Sequence, residues 1–446
     1  MGRDGMRVKK LTLLLAIGLL GGVVAIPVDA QAPPSRIKVP GGQPTRGWSK
    51  PMLVSADQAH REASLAISPV DPSLLFICSP SGVPNTEFSQ SYFHVSRDGG
   101  RKWEPLRIEG PSELRNYFYE GGDCDVAFDK KGTMYTADTW RGNLSIGHST
   151  DKGKTWEGTP ISGTSPMVDR PWLVGGTKGV LHVAYQDLQC CMPSAIWYTR
   201  SSDYGQTFLP AVPVAFAGPE GAFTWEGNLV VAPGAEDLYL VYTRRSEPSF
   251  TVERPGPAES VWVAASHDGG LTWNSHLVAR RDTAASFLYP SIAMDRAGLL
   301  HVVFSSPTRN DVPIWYSVSK DKGESWTNPR PLMRGAAGYS PWVTAGARGQ
   351  AAVVWYGSPD QRAYDTTESP WYFYWARVSK AHSRRPHVRV GRTTTKPMFV
   401  GKSLIPEFET VRLDERGRMH IAMSARWKKK VGTEVKWVIY YQVGRP

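Results

Sequence analysis

Seven short segments of this chain gather the residue types that sugar chemistry requires. They are His60-Arg61-Glu62, Tyr119-Glu120-Gly121-Gly122-Asp123, Asp169-Arg170-Pro171-Trp172, Trp225-Glu226-Gly227-Asn228, Tyr289-Pro290-Ser291, Tyr339-Ser340-Pro341-Trp342 and Glu407-Phe408-Glu409. Carboxylates exchange the proton of a glycosidic oxygen, arginines clamp anionic groups, and indole faces stack on sugar rings. Each segment leads into a short apolar run of strand character, so all seven occupy the same place in a repeated unit. Taken singly, each group is explained more simply by pairing with a neighbour along a solvated channel. The argument for a site is that a closed ring of such units aims all seven at one funnel.

The units themselves are visible as strands. Runs such as Leu74-Leu75-Phe76-Ile77-Cys78, Val180-Leu181-His182-Val183-Ala184-Tyr185, Leu299-Leu300-His301-Val302-Val303-Phe304 and Arg418-Met419-His420-Ile421-Ala422-Met423 recur seven times and read as the second strand of each unit. Five units then carry the pattern Ser-x-Asp-x-Gly-x-Thr-Trp, at Ser96 to Trp103, Ser149 to Trp156, Ser201 to Phe208, Ser266 to Trp273 and Ser319 to Trp326. The Asp carboxylate can accept backbone N–H groups and close a tight turn, the Gly supplies a conformation that side chains resist, and the aromatic folds back as a plug. A sixth copy is degenerate, with Ala381 where the Asp belongs. Near the N-terminus Trp48-Ser49-Lys50-Pro51-Met52-Leu53-Val54 reads as a fourth strand without a unit of its own. No sustained amphipathic helix follows the N-terminal segment.

The five boxes resemble the Asp-box (BNR) repeat of the sialidase superfamily and related β-propellers. The resemblance implies an all-β propeller of four-stranded blades over residues 47–446. Seven blades are favoured, against six in sialidases, with an N-terminal strand completing the C-terminal blade; six blades with an irregular end is the alternative. It also implies a site: a Tyr nucleophile partnered by Glu, an Asp acid/base and three arginines on the substrate carboxylate. Gly338-Tyr339-Ser340 is similar to the nucleophile segment, which assigns Tyr339, with Glu226 as its base and Asp123 as acid/base. Arg61, Arg170, Arg244 and Arg309 are the candidate clamps, with Glu120, Asp169, Trp172, Trp225 and Trp342 as further substrate contacts. The chain departs from the pattern in two places. Arg36-Ile37-Lys38 lies in the linker while Arg61 lacks the flanking residues of the Arg-Ile-Pro motif, and Gly357 stands near the position of an expected Glu. The implied activity is exo-hydrolysis of a sialic-acid-like sugar; the alternative is a non-catalytic propeller that binds a glycan or a protein.

Residues 1–30 read as a signal peptide, with Arg3, Arg7, Lys9 and Lys10 before an apolar run and Val28-Asp29-Ala30 as the cleavage site. Residues 31–46 form a linker. An exported, extracellular or periplasmic chain is the expectation, and export permits disulfides. Cys78 and Cys124 fall in strands of neighbouring repeats, where they could pair; Cys190 and Cys191 are vicinal on a loop, and the spacing matches no common zinc pattern. No metal or cofactor is expected. The formal charge of +11 falls to +9 without residues 1–30, which hold four basic and two acidic groups. That balance favours anionic glycans, or contact with a membrane surface, as partners. Nucleic acid is an unsuitable partner for an exported propeller.

Overall fold

Each Asp box folds as a hairpin turn held by its own side chains. Ser266 Oγ donates to Asp268 Oδ1 (2.8 Å) and accepts from Gly270 N (2.9 Å), and Asp268 Oδ1 also accepts from Leu271 N and Thr272 N, both at 3.0 Å. The same Ser–Asp bond closes the boxes at Ser96, Ser149, Ser201 and Ser319. With bonds from the Thr272 hydroxyl and amide, the Asp268 carboxyl is held down at about 2. The residue after the Asp is left-handed in every box, at Gly99, Lys152, Tyr204, Gly269 and Lys322. The degenerate sixth turn, which lacks the carboxylate, has its left-handed residue, Lys380, before Ala381 rather than after it.

The computed structural model describes residues 46–55, 61–80, 91–106, 108, 121–140, 143–161, 168–187, 195–215, 223–234, 236–245, 258–285, 290–306, 308, 311–361, 368–401, 406–427, 430–431, 434–435 and 437–445. The sequence-derived signal peptide, nearly all of the linker, Cys190, Cys191, Glu120 and Arg309 lie outside these residues. Seven antiparallel sheets make a β-propeller, and the described residues contain no helix. The innermost strands are Ser64–Ile67, Gly121–Phe128, Val168–Gly175, Phe223–Val231, Ser291–Met294, Ala337–Ala345 and Val411–Leu413, defining blades 1 to 7. In blades 1 to 6 the chain meanders outward to a fourth strand. The seventh sheet runs Val411–Leu413, Met419–Ala425, Val438–Gly444 and then Met52–Ser55, so its outermost strand comes from the other end of the chain. Because strands alternate in direction, the inner-strand starts share one end of the ring and the boxes share the other.

The box aromatics seal seams between blades. Trp103 of blade 1 packs on Tyr441 of blade 7 with ring centroids 5.3 Å apart, Trp156 of blade 2 on Phe76 of blade 1 at 5.8 Å, and Trp273 of blade 4 on Tyr198 of blade 3 at 5.4 Å. The box glycines allow this approach. A Cβ on Gly270 (φ 92°) would lie 2.1 Å from Tyr198 Cε1, whereas one on Gly99 (φ 77°) would meet nothing within 4 Å. Both substitutions bring a side chain to a left-handed residue, so their difference isolates the seam. Gly99→Ala is expected to cost about 1 kcal/mol and Gly270→Ala a further 1–3 kcal/mol, read as denaturant midpoints. Equal midpoints would show that the glycine serves backbone conformation alone.

Two further repeats appear. Asp129, Asp295 and Asp414 each cap the turn after the inner strand, accepting from Thr133 N (2.9 Å), Leu299 N (3.1 Å) and Arg418 N (2.7 Å). Asp129 and Asp295 extend the second oxygen to Gly179 N and Gly349 N of the next blade. His182, His301 and His420 pair with the hydroxyls of Tyr198, Tyr316 and Tyr441 at 2.6–2.7 Å. A disulfide joins Cys78 and Cys124 across blades 1 and 2, with Cα atoms 6.3 Å apart.

Candidate functional site

Aligning the inner strands by their contacts puts one residue from each blade at an equivalent level: Ser64, Asp125, Trp172, Asn228, Ser291, Trp342 and Thr410. Polar members tie a blade to its successor. Ser64 Oγ donates to Asp125 Oδ1 (2.5 Å), Asp125 Oδ2 accepts from Leu173 N (2.8 Å), and Asn228 Oδ1 accepts from Ile292 N (2.9 Å). Ser291 Oγ accepts from Val343 N (3.1 Å) and Thr410 Oγ1 from Leu65 N (2.7 Å). The two tryptophans, from blades 3 and 6, meet each other across the axis instead. Their ring centroids are 5.1 Å apart, and Phe408 stands 5.0 Å from Trp172 and 6.0 Å from Trp342. Trp172 and Trp342 are 3% and 2% exposed. As sugar-stacking faces they are therefore corrected to a buried axial plug: the aromatic surface expected to meet a ligand is spent on the core.

Above this plug the chain concentrates charge. The residues two positions earlier in blades 1 to 3 are Glu62, Asp123 and Arg170. Register shifts at Gly121/Cys124, Asp169/Trp172, Glu226/Leu229 and Tyr339/Trp342 show β-bulges at this level in blades 2, 3, 4 and 6. A bulge re-aims a side chain that strict alternation would direct elsewhere. Glu62, Arg170 and Ser340 adopt φ of 58°, 52° and 50°. Left-handed residues with side chains cost about 1–3 kcal/mol and concentrate where geometry serves function. Pro171 and Pro341 sit within the bulges, where no ladder N–H is needed.

Arg170 is the hub. It is 5% exposed and forms ion pairs with Asp123 (3.7 Å), Asp169 (3.9 Å) and Glu407, while its guanidinium lies 5.3 Å from the centroid of the Trp225 ring. Arg170 N also donates to Asp169 Oδ1 (3.0 Å), and Glu407 N to Glu62 Oε1 (3.3 Å). Burial and the adjacent Asp169 carboxylate raise the Asp123 carboxyl well above the usual range, with Arg170 opposing them. Burial likewise raises Glu62, against Arg61 and Arg170. Four carboxyl groups thus face two arginines, and a proton on Asp123 relieves the imbalance.

Asp123, Asp169, Arg170, Trp225 and Arg61 therefore come together as the sequence suggested, with Glu62 and Glu407 as members the assignment had left out. Their signal was the shared position in the repeat. Arg244 belongs elsewhere: it lies over the Trp262 ring (4.4 Å) and donates to the Tyr242 hydroxyl (3.2 Å), facing the outer strands of blade 4. Its expected role as a substrate clamp is corrected accordingly. Tyr339 pairs in register with Tyr356 and is 9% exposed within the apolar core. Glu226 lies on the inner strand of blade 4, but its side chain is outside the description. Among the described residues no group of three or more His, Cys, Asp or Glu side chains is placed to hold a metal ion.

Solved structures share this fold. A protein of unknown function from Dyadobacter fermentans is 14% identical, with a TM-score of 0.50 over 90% of this chain and 99% of its own. An α-L-arabinofuranosidase from Fusarium graminearum in complex with an iminosugar inhibitor is 13% identical, with a TM-score of 0.47 over 91% and 97%. A Hadza microbial sialidase is 21% identical, with a TM-score of 0.44 over 67% and 63%. No curated protein matches the sequence. The profile of the BNR repeat-like domain matches residues 36–302, more than half of the chain. With its Asp-box turns and propeller of seven sheets, the chain belongs to the BNR repeat-like domain family.

Proposed function

We propose that this protein is an exported glycoside hydrolase that cleaves a neutral glycan at the charged cluster above the axial plug. The observation that carries the reading is the Asp123 carboxyl, buried beside Asp169 and paired with Arg170 at 3.7 Å, whose pKa is raised by burial and by the Asp169 carboxylate. A carboxyl group whose pKa is raised by burial and a neighbouring carboxylate holds its proton to higher pH than a free one and can act as a general acid. Asp123, with 14% of its side chain accessible, gives its proton to the glycosidic oxygen as the C–O bond breaks. Asp169, 28% accessible, stands beside it to stabilise positive charge at the sugar carbon; water then adds its oxygen to that carbon and returns a proton to the ionised Asp123. The cluster carries more carboxyl groups than guanidinium groups, and Arg170 is already engaged by three of them. A sialic-acid-like substrate requires arginines directed at its own carboxylate, which makes a neutral sugar the better fit.

The test is a panel of fluorogenic neutral glycosides and a sialoside, assayed with wild type, Asp123→Asn and Tyr339→Phe. Asp123→Asn is expected to reduce kcat by 10²–10⁴ with little change in thermal unfolding. For the wild type, kcat/KM should fall as pH rises through the raised Asp123 pKa, because the ionised form has no proton to give. Sialoside turnover abolished by Tyr339→Phe but retained by Asp123→Asn would overturn this reading in favour of a tyrosine nucleophile. Binding without turnover of any glycoside would make the propeller a glycan-binding module.

A further inference from the structure

The cluster at the site end is acidic, yet the chain is strongly basic, so its positive charge must gather elsewhere. One gathering lies at the box end of blades 6 and 7. Arg377 and Arg389 are direct cross-strand partners on Pro370–Ser379 and His387–Arg392. Like charges placed directly opposite each other destabilise a sheet. The half-buried Arg377 donates Nη2 to Gly417 O at 2.6 Å, bringing it to the first turn of blade 7, while its buried Nε has no acceptor. On that blade Met419 pairs with Gly444, so the following Arg445 stands across from Arg418, and Arg445 N donates to Gly47 O beside the exposed Arg46.

The acids nearby do not balance these groups. Asp414 is taken by Arg418, through Nε at 2.6 Å and the backbone N–H at 2.7 Å, and lies 3.4 Å from His420. Glu415 projects into solvent on the same turn, next to Arg416. Burial, followed by the charges of Arg445 and Arg389, lowers the Arg377 pKa against the smaller opposing charge of Asp414, so both arginines repel Arg377 across the blade seam.

We propose that Arg377, Arg389 and Arg445 form a second, anion-binding surface that takes the carboxylate or sulfate groups of an acidic polysaccharide. Planar guanidinium groups match such oxyanions in two-point contacts, and a bound oxyanion removes the repulsion. The exposed large hydrophobic side chains among the described residues (Leu53, Val70, Leu209, Leu271, Leu277 and Val400) lie outside this patch, which favours a soluble polyanion over an inserted lipid surface. The surface lies at the opposite end of the ring from the carboxylate cluster, so it can hold a charged chain without occupying that site.

Binding of fluorescent dextran sulfate and polygalacturonate, with neutral dextran as reference, tests the proposal over a range of salt. The sulfated or uronate polymer should bind, weaken steeply with salt as exposed charge pairs are screened, and lose at least tenfold in affinity in Arg389→Glu/Arg445→Glu. Arg389→Glu alone should retain or raise the melting temperature, because it gives Arg377 an opposite charge. A control reversal on blade 2, Lys130→Glu/Lys131→Glu, should leave affinity within twofold. Equal losses in both double variants, or unchanged affinity in the first, would overturn the site in favour of diffuse charge. Binding to phosphatidylglycerol vesicles without binding to either polymer would overturn it in favour of a membrane surface.

Discussion

Replacing Trp172 by alanine is expected to lower the free energy of unfolding by about 3–5 kcal/mol, the range for removing a large buried aromatic. The position amplifies the usual cost. Five of the seven equivalent inner-strand residues bind the neighbouring blade through hydroxyl, amide or carboxylate groups. Blades 3 and 6 carry tryptophan there, and the two rings with Phe408 fill the axis. Blade 3 keeps a separate tie to blade 4 through Gln186 Nε2 to Thr224 O (3.0 Å). The alanine variant therefore loses the plug without losing every seam. Because Trp172 and Trp342 contact each other, the double variant should cost less than the sum of the single losses. The measurement is a double-mutant cycle by denaturant unfolding. Strict additivity would mean that the rings fill independent space. Beyond stability, removing the floor beneath Arg170 should impair turnover even where the fold survives at low temperature.

The fold was legible because its devices are local. Asp268, Gly270 and Trp273 lie within six residues of one another, and a turn closed by neighbours in sequence leaves a repeated spacing that can be counted. The sealing of seams by Trp103, Trp156 and Trp273 was not legible as such, because each aromatic's partner is on the preceding blade. The plug was misread for a related reason. Trp172 and Trp342 sit in identical Pro-Trp contexts at the expected end of their strands, and only the ring shows that they meet. The charged cluster was half visible. Asp123, Asp169 and Arg170 were singled out by type, whereas Glu62 and Glu407 follow from aligning blades on the residues that join them. Arg244 misled because it has a plausible residue type and order, while its direction is set by the Trp262 face.

Alongside the buried Asp123 and Asp138, whose carboxyls are also raised, a steep pH dependence of stability should come from a residue that the sequence reading passed over as a carboxylate among others. Glu409 is fully buried between blades 7, 6 and 1, accepting from Ser424 N (2.9 Å) and Ala63 N (3.3 Å). Burial is the largest influence on its pKa and pushes it up to about 8, against the hydrogen bonds from Ser424, Tyr356 and Ala63. The hydroxyl of Tyr356 lies 2.8 Å from both Glu409 Oε1 and Ser424 O. One hydroxyl proton cannot serve two acceptors, but a protonated Glu409 resolves the geometry by donating to Tyr356 while Tyr356 donates to Ser424. The raised pKa means that the folded state holds its proton where the unfolded state releases it. The stabilisation is complete below the ordinary glutamate value of 4.5 and is lost as pH rises through about 8. Over that interval the loss is on the order of 5 kcal/mol. Glu409→Gln should remove this slope, at a cost of about 1–3 kcal/mol in acid because one amide hydrogen must face the N–H of Ala63 or Ser424. Wild type and variant curves should therefore cross between about pH 5 and 7, where the wild-type loss of about 1.4 kcal/mol per pH unit above 4.5 matches the variant's cost, with the variant the more stable in alkali. Parallel curves across that range would show that Glu409 is ionised in the folded protein, with Tyr356 donating to it rather than to Ser424.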